Sequence, residues 1–189
     1  VGASISEDDG YSTPLGNVLV DRAKVESLTK QSPYINHYPQ AHVKEHSIEV
    51  ELPFLQVKSK SSFKIIPIIM SQCNSEVVES IANAIVKECS KEETLIIISS
   101  DFSHFFSAKE AESMDYKAIN LITKRDIAGL RKESSKRNIQ MCGEKPIEVL
   151  LKICDAWGIK KSQKLHYTHS GHVMGDYTRV VGYASMIFY

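Results

Sequence analysis

The sequence has no surplus of charge of either sign: its 189 residues carry 23 lysines and arginines against 23 aspartates and glutamates. Without a basic excess there is nothing to hold a phosphate backbone, so nucleic acid is not an expected partner. Long apolar runs are also missing. The longest are strand-length, far short of the roughly 20 residues that a membrane-spanning helix needs. The opening "VGASISEDDG" is small and acidic rather than apolar, so no signal peptide is expected there. None of the four cysteines falls in a CxxC pair, which argues against a zinc ribbon or a thioredoxin-like centre. Nothing in this cysteine usage asks for an oxidising compartment, and a cytoplasmic protein with reduced thiols is expected. Repeats and low-complexity linkers are absent as well. The length suits one domain with a real core, residues 1–189.

What is present is an alternation of strand and helix patterns. "YSTPLGNVLVD" reads as a turn at residues 13–16, a strand at 18–20 and a helix over 21–30 capped by Asp21. "AHVKEHSIEVELPFLQVK" has Ile48, Leu52 and Leu55 at helical spacing, with Pro53 as a kink or an early stop. "FKIIPIIM" reads as a strand in which Pro67 cannot donate to one side of the ladder. The amphipathic helix "SEVVESIANAIVKECSKEE" follows, and its stripe Val77, Ile81, Ile85 carries Cys89 into the core. In "LIIISSDFSHFF", residues 95–98 read as a fully buried strand that delivers Asp101 and His104 to its end. Further helices are expected at 108–123, at 126–137 and over "KPIEVLLKICDAWGI", with Pro146 near its first turn and Gly158 past its end. The stripe Ile147, Leu150, Leu151, Cys154 faces the core. "KLHYTHSG" and "RVVGYASMIFY" supply two last strands. The expected class is α/β, with a mixed, largely parallel central sheet flanked by helices.

Polar residues gather in four places. Asp101 and His104 stand where α/β proteins tend to bind ligands, although a helix cap and a solvated loop histidine explain them equally well. His42 and His46 are four apart, and His46 and Glu49 three apart. A carboxylate one turn from a histidine suits metal ligation, and an exposed polar helix face is the plainer explanation. Cys142 lies just before a helix N-terminus and off any apolar stripe, where backbone N–H groups favour a reactive or metal-binding sulfur; a buried loop thiol competes with that reading. His166, His169 and His172 are spaced three apart, but a strand running into a Gly-rich loop cannot put them on one face, so solvated loop histidines are expected. A pocket mixing imidazole with thiolate would suit iron, copper or zinc and not magnesium or calcium.

Taken together and in order, "TPLGNVLVD", "EHSIEVELPFLQ", "IIPIIM", "IIISSDFSHF", "MCGEKPIEVLL" and "HSGHVMGDYTRVVGYASM" resemble the Memo family, also called the AmmeMemoRadiSam system protein B group. The similarity covers essentially the whole chain. It implies a fold like that of the class III extradiol dioxygenases, which are non-haem iron enzymes. It implies a pocket in which two histidines and a cysteine hold iron or copper, with His46 matching the second histidine and Cys142 the cysteine. Asp101 and His104 match the pocket-lining pair, His104 resembling an acid/base histidine, and Glu49 and His172 border the pocket. The family's first metal histidine lies in a Gly-Pro-Asn/Ser-His stretch that would precede Val1, together with an N-terminal strand. His172 stands where relatives often carry aspartate. The resemblance implies a metal-dependent oxidoreductase acting on a small molecule of unknown identity, with a radical SAM protein as a possible pathway partner. A phosphopeptide-binding module using the same pocket, and a hydrolase with Cys142 as nucleophile and His104 as base, are the rival expectations.

Overall fold

The computed structural model describes residues 2–189. It divides into two compact units, Val1–Ser99 and Ser100–Tyr189.

In the first unit the buried strand β1 (Ala3–Ile5) runs parallel to β4 (Ile35–Asn36) and antiparallel to β6 (Ile68–Met70). A second sheet joins the hairpin β2 (Gly10–Thr13) and β3 (Gly16–Val20) to β5 (Lys64–Ile65), which is parallel to β3. The hairpin turns through Pro14 and Leu15 because Gly16 adopts φ +111°, a conformation that only glycine enters freely. Helix α1 (Arg22–Gln31) starts where Asp21 accepts the Lys24 N–H. Helix α2 (Pro39–His42) is one turn long, and α3 (Leu52–Lys58) is short. Helix α4 (Ser75–Glu88) is capped by Asn74 and buries Val77, Val78, Ile81 and Ile85. With Ile5, Val25, Leu28 and Ile35 they make this unit's core. Fully burying each such side chain contributes about 1.5–3 kcal/mol.

Three sequence expectations fail here. "FKIIPIIM" is not one strand: Pro67 divides β5 from β6, which belong to different sheets, and its free carbonyl takes the Ser6 N–H. Pro53 does not end a helix but sits in the first turn of α3, where a missing N–H costs nothing; residues 43–51 before it form turns. Residues 95–98 are not a buried strand. Leu95 is 77 % and Ile97 42 % exposed, and among the described residues no backbone–backbone hydrogen bond holds 94–99.

The second unit has one antiparallel sheet, β7 (His104–Phe106), β9 (Val180–Phe188) and β8 (Ser162–His169) in that order. Helix α5 (Ala108–Thr123) begins with a capping box between Ser107 and Glu110, so Ser107 caps it and Asp101 is left free of that role. Helix α6 (Ile127–Ser135) is capped by Asp126. Helix α7 (Glu144–Ala156) buries Ile147, Leu151 and Cys154 and stops before Gly158 at φ +67°. The single turn α8 (Gly171–Met174) follows β8. The class is thus mixed α/β, but three small sheets replace the largely parallel one expected. Among the described residues only β1–β4 and β3–β5 pair in parallel. For the consecutive pairs β2–β3 and β8–β9 the short connections account for the antiparallel pairing. Among the described residues no helix is long and apolar enough to cross a membrane.

Candidate functional site

In the second unit, residues 100–104 and 140–143 are laced together. Phe102 donates its N–H to the Gly182 carbonyl and Ser103 accepts from the Gly182 N–H, both at 2.9 Å, so the chain enters β7 held against β9. The Cys142 N–H donates to the Asp101 carbonyl at 3.2 Å, and the Asp101 N–H donates to Cys142 Sγ at 3.1 Å. Ser100 Oγ lies 3.6 Å from the same sulfur and accepts the Gly143 N–H at 2.8 Å. One position further on, the His104 N–H donates to Gln140 Oε1 at 2.9 Å. Through these bonds the exposed Cys142 is fixed against the backbone of Asp101. His104 Nε2 is 3.5 Å from Asp101 Oδ2, an ion pair only when the ring is protonated.

Behind this loop lies a fully buried carboxylate that the sequence reading missed. Asp115 Oδ1 accepts the Ser103 N–H at 3.0 Å and Oδ2 accepts the Tyr167 hydroxyl at 2.9 Å. Burial pushes the Asp115 carboxyl up, against the pull of those hydrogen bonds and of His104. Burial and the Asp115 contact push the Tyr167 phenol up as well. A signal did exist in the sequence: Asp115 shares the inward stripe of α5 with Ala111, Ala118 and Ile122.

The other cysteines differ from Cys142. Cys89 and Cys154 are buried, as expected, and burial pushes both thiols up. Of the histidines of the last segment, His166 and His172 are exposed, as expected, and His169 is not. His169 is only 6 % exposed, while His172 stacks on it at 4.0 Å and shares a 2.8 Å contact with Thr168 Oγ1. Among the described residues His172 makes no hydrogen bond to Asp101, His104 or Cys142.

In the first unit, His46 and Glu49 lie in turns rather than on a helix, yet they pair: His46 Nδ1 is 2.8 Å from Glu49 Oε1, and both are exposed. This leaves Nε2 as the free ring nitrogen of His46, the usual arrangement of a ligating histidine. His42 is used locally, with Nε2 3.0 Å from Ser4 Oγ, and its burial lowers its pKa. His46 belongs to the first unit and Cys142 to the second. Among the described residues no three His, Cys, Asp or Glu side chains gather into a metal-holding group.

Comparison with known proteins agrees with the motif reading. The Memo-like protein family model matches residues 1–187, and the chain belongs to that family. A MEMO1 family protein of Methanopyrus kandleri is 35 % identical over 183 residues, covering 96 % of this chain and 65 % of the relative. One from Aquifex aeolicus is 36 % identical over 185 residues, covering 98 % and 69 %. One from Thermoplasma acidophilum is 35 % identical over 185 residues, covering 98 % and 68 %. The chain thus spans about two thirds of the length of these relatives.

Proposed function

We propose that this Memo-like chain is the larger part of a cytoplasmic, metal-dependent oxidoreductase with a fold similar to the class III extradiol dioxygenases. His46 and Cys142 would be ligands to iron or copper, with a further ligand supplied by sequence outside this chain. Bound there, the ion would supply one-electron redox chemistry to a small-molecule substrate. The chain's own contribution is better defined. His104, next to Asp101, takes or gives a proton, because an imidazole changes charge near neutral pH. Asp101 orients that ring through its carboxylate and the Cys142 sulfur through its N–H. The observation that carries the reading is this double use of Asp101, at 3.5 Å and 3.1 Å. The third ligand and any radical SAM partner belong to the proposal, as does the substrate.

Metal analysis of the full-length protein is the direct test. His46→Ala and Cys142→Ala are each expected to weaken retention of iron or copper by at least about 10–100-fold, the scale seen when even an outer partner of a metal site is lost. Unchanged metal content in both variants would sink the reading.

The exposure of Cys142, set against the buried Cys89 and Cys154, favours one further reading, a cysteine nucleophile served by His104. At neutral pH iodoacetamide should label Cys142 at least about tenfold faster than Cys89 or Cys154, read by peptide mass spectrometry. Equal rates would remove the nucleophile from consideration.

A further inference from the structure

The first unit holds one of its segments through a polar contact that depends on an uncharged histidine. Helix α2 buries none of its residues and has no side-chain cap, so apolar packing does not fix it. It is tied to the core by the Ser4 hydroxyl of β1. Ser4 Oγ accepts the Tyr38 N–H at 3.1 Å, donates to the Tyr38 carbonyl at 3.1 Å and meets His42 Nε2 at 3.0 Å. Ser4 is only 5 % exposed, so this hub is rooted in a buried strand. The other ring nitrogen of His42, Nδ1, is buried and has no hydrogen-bond partner among the described residues.

A neutral ring leaves one uncharged nitrogen unpaired there. A protonated ring would bury a charged N–H with no acceptor, which costs far more. Burial accordingly lowers the His42 pKa from the ordinary 6.5, and His37 pushes the same way; Asp8, the Ser4 backbone and Glu45 pull against them without prevailing. His37 itself is a different case. Its Nδ1 meets the Ile5 carbonyl at 3.0 Å, a bond that uses Nδ1–H and survives protonation. Of the two histidines bonded to β1, His42 is the one that must stay neutral to stay in place. Past His42 the chain runs through turns, with neither helix nor strand, to His46 and Glu49.

We propose that Ser4 and His42 form a pH-sensitive latch, which holds α2 on β1 at neutral pH and releases it in mild acid, together with the His46–Glu49 turn that follows. The sign comes from linkage. A freed ring binds protons with ordinary affinity and a latched ring more weakly, so latching is full above about pH 6.5 and is lost progressively below it. Control of His46 by this latch rests on His46 serving the site, but the latch itself requires no metal.

Hydrogen exchange read by mass spectrometry tests it on the metal-free full-length protein at pH 7.5 and 5.5, with rates corrected for the intrinsic pH dependence of exchange. Protection of residues 38–49 should fall by about five- to tenfold at the lower pH, the upper figure being the ceiling that one histidine of ordinary pKa allows over this interval. Helix α4, in the core of the same unit, should keep its protection. His42→Gln, whose amide can donate to Ser4 Oγ but does not titrate, should show no pH response, whatever level of protection it keeps. Ser4→Ala should leave the segment open at both pH values. His37→Gln should retain at least about half of the wild-type response, since its own bond does not depend on charge. The latch is refuted if wild-type protection changes by less than about twofold, if α4 loses protection equally, if Ser4→Ala stays protected, or if His42→Gln responds as the wild type does. Because no metal enters this assay, its result is independent of whether His46→Ala and Cys142→Ala retain iron or copper.

Discussion

Gly182→Ala is expected to cost about 3 kcal/mol or more, among the largest losses available to a single methyl group in this protein. A Cβ on Gly182 would stand 1.8 Å from Asp115 Oδ2 and 2.8 Å from its Cγ, with Phe102 Cβ at 3.4 Å. A flexible carboxylate could step aside at little cost, but this one is buried and bonded at both oxygens. Moving it strands the Ser103 N–H and the Tyr167 hydroxyl, at about 1–3 kcal/mol for each buried group left unpaired. Urea unfolding followed by circular dichroism measures the loss, and a wild-type midpoint would show that the strand yields instead. Truncating Asp115 to alanine makes room for the new methyl, so the double variant should fall short of the summed single losses by at least about 1 kcal/mol. The pH dependence has a definite sign. The folded Asp115 titrates above the ordinary 3.8, chiefly through burial, so the native state holds the extra proton in the interval. Its contribution to stability is full below 3.8 and declines as pH rises through the folded value, a decline that Asp115→Asn should abolish.

The second large effect belongs to Glu148, whose side chain has no exposure. Its Oε2 accepts the Arg131 Nε–H at 2.8 Å, with a second contact from the same guanidinium, and its Oε1 accepts from Lys145 Nζ at 2.6 Å. Lys145 is held by Glu144 as well, at 2.9 Å, and Glu144 also accepts from the Ser134 hydroxyl. Burial works against the Lys145 charge, yet its bonds to Glu148 and Glu144 keep its pKa above the ordinary lysine value. Removing one partner of such a network leaves buried charge without compensation, so Glu148→Ala should cost about 3–5 kcal/mol. Replacing Lys145 and Glu148 together by leucine should recover part of that loss, because the stranded ammonium goes with its partner. Chemical denaturation of the three proteins decides. A Glu148→Ala loss under about 1 kcal/mol would mean that both cations reach water once freed.

Sequence and structure agree where the information is local. Helix α5 keeps its predicted limits and Asp21 caps α1 as expected, because an amphipathic stripe and a cap lie within a few residues of each other. Agreement fails where a distant partner decides. The apolar run 95–98 has every local mark of a buried strand and is not one, since strands need a neighbour that local sequence does not name. The site divides in the same way. Asp101, His104 and Cys142 were legible through family motifs, and the structure joins them by backbone bonds. Ser100 and Gln140 escaped notice because they act through contacts between segments some forty residues apart. The helix once assigned to His46 and Glu49 is absent, but their three-residue spacing closes the same 2.8 Å pair across a turn.

Residues 94–99, Thr-Leu-Ile-Ile-Ile-Ser, also bear on how the molecule behaves at high concentration. Six uncharged residues of high β-propensity, free of proline and glycine, have the composition of segments that stack into cross-β fibrils. Here they keep their backbone groups free of other backbone partners and two of their apolar side chains in view. Solubility at high concentration is therefore set in part by this one exposed segment, and a charge placed within it should raise the concentration at which the protein self-associates.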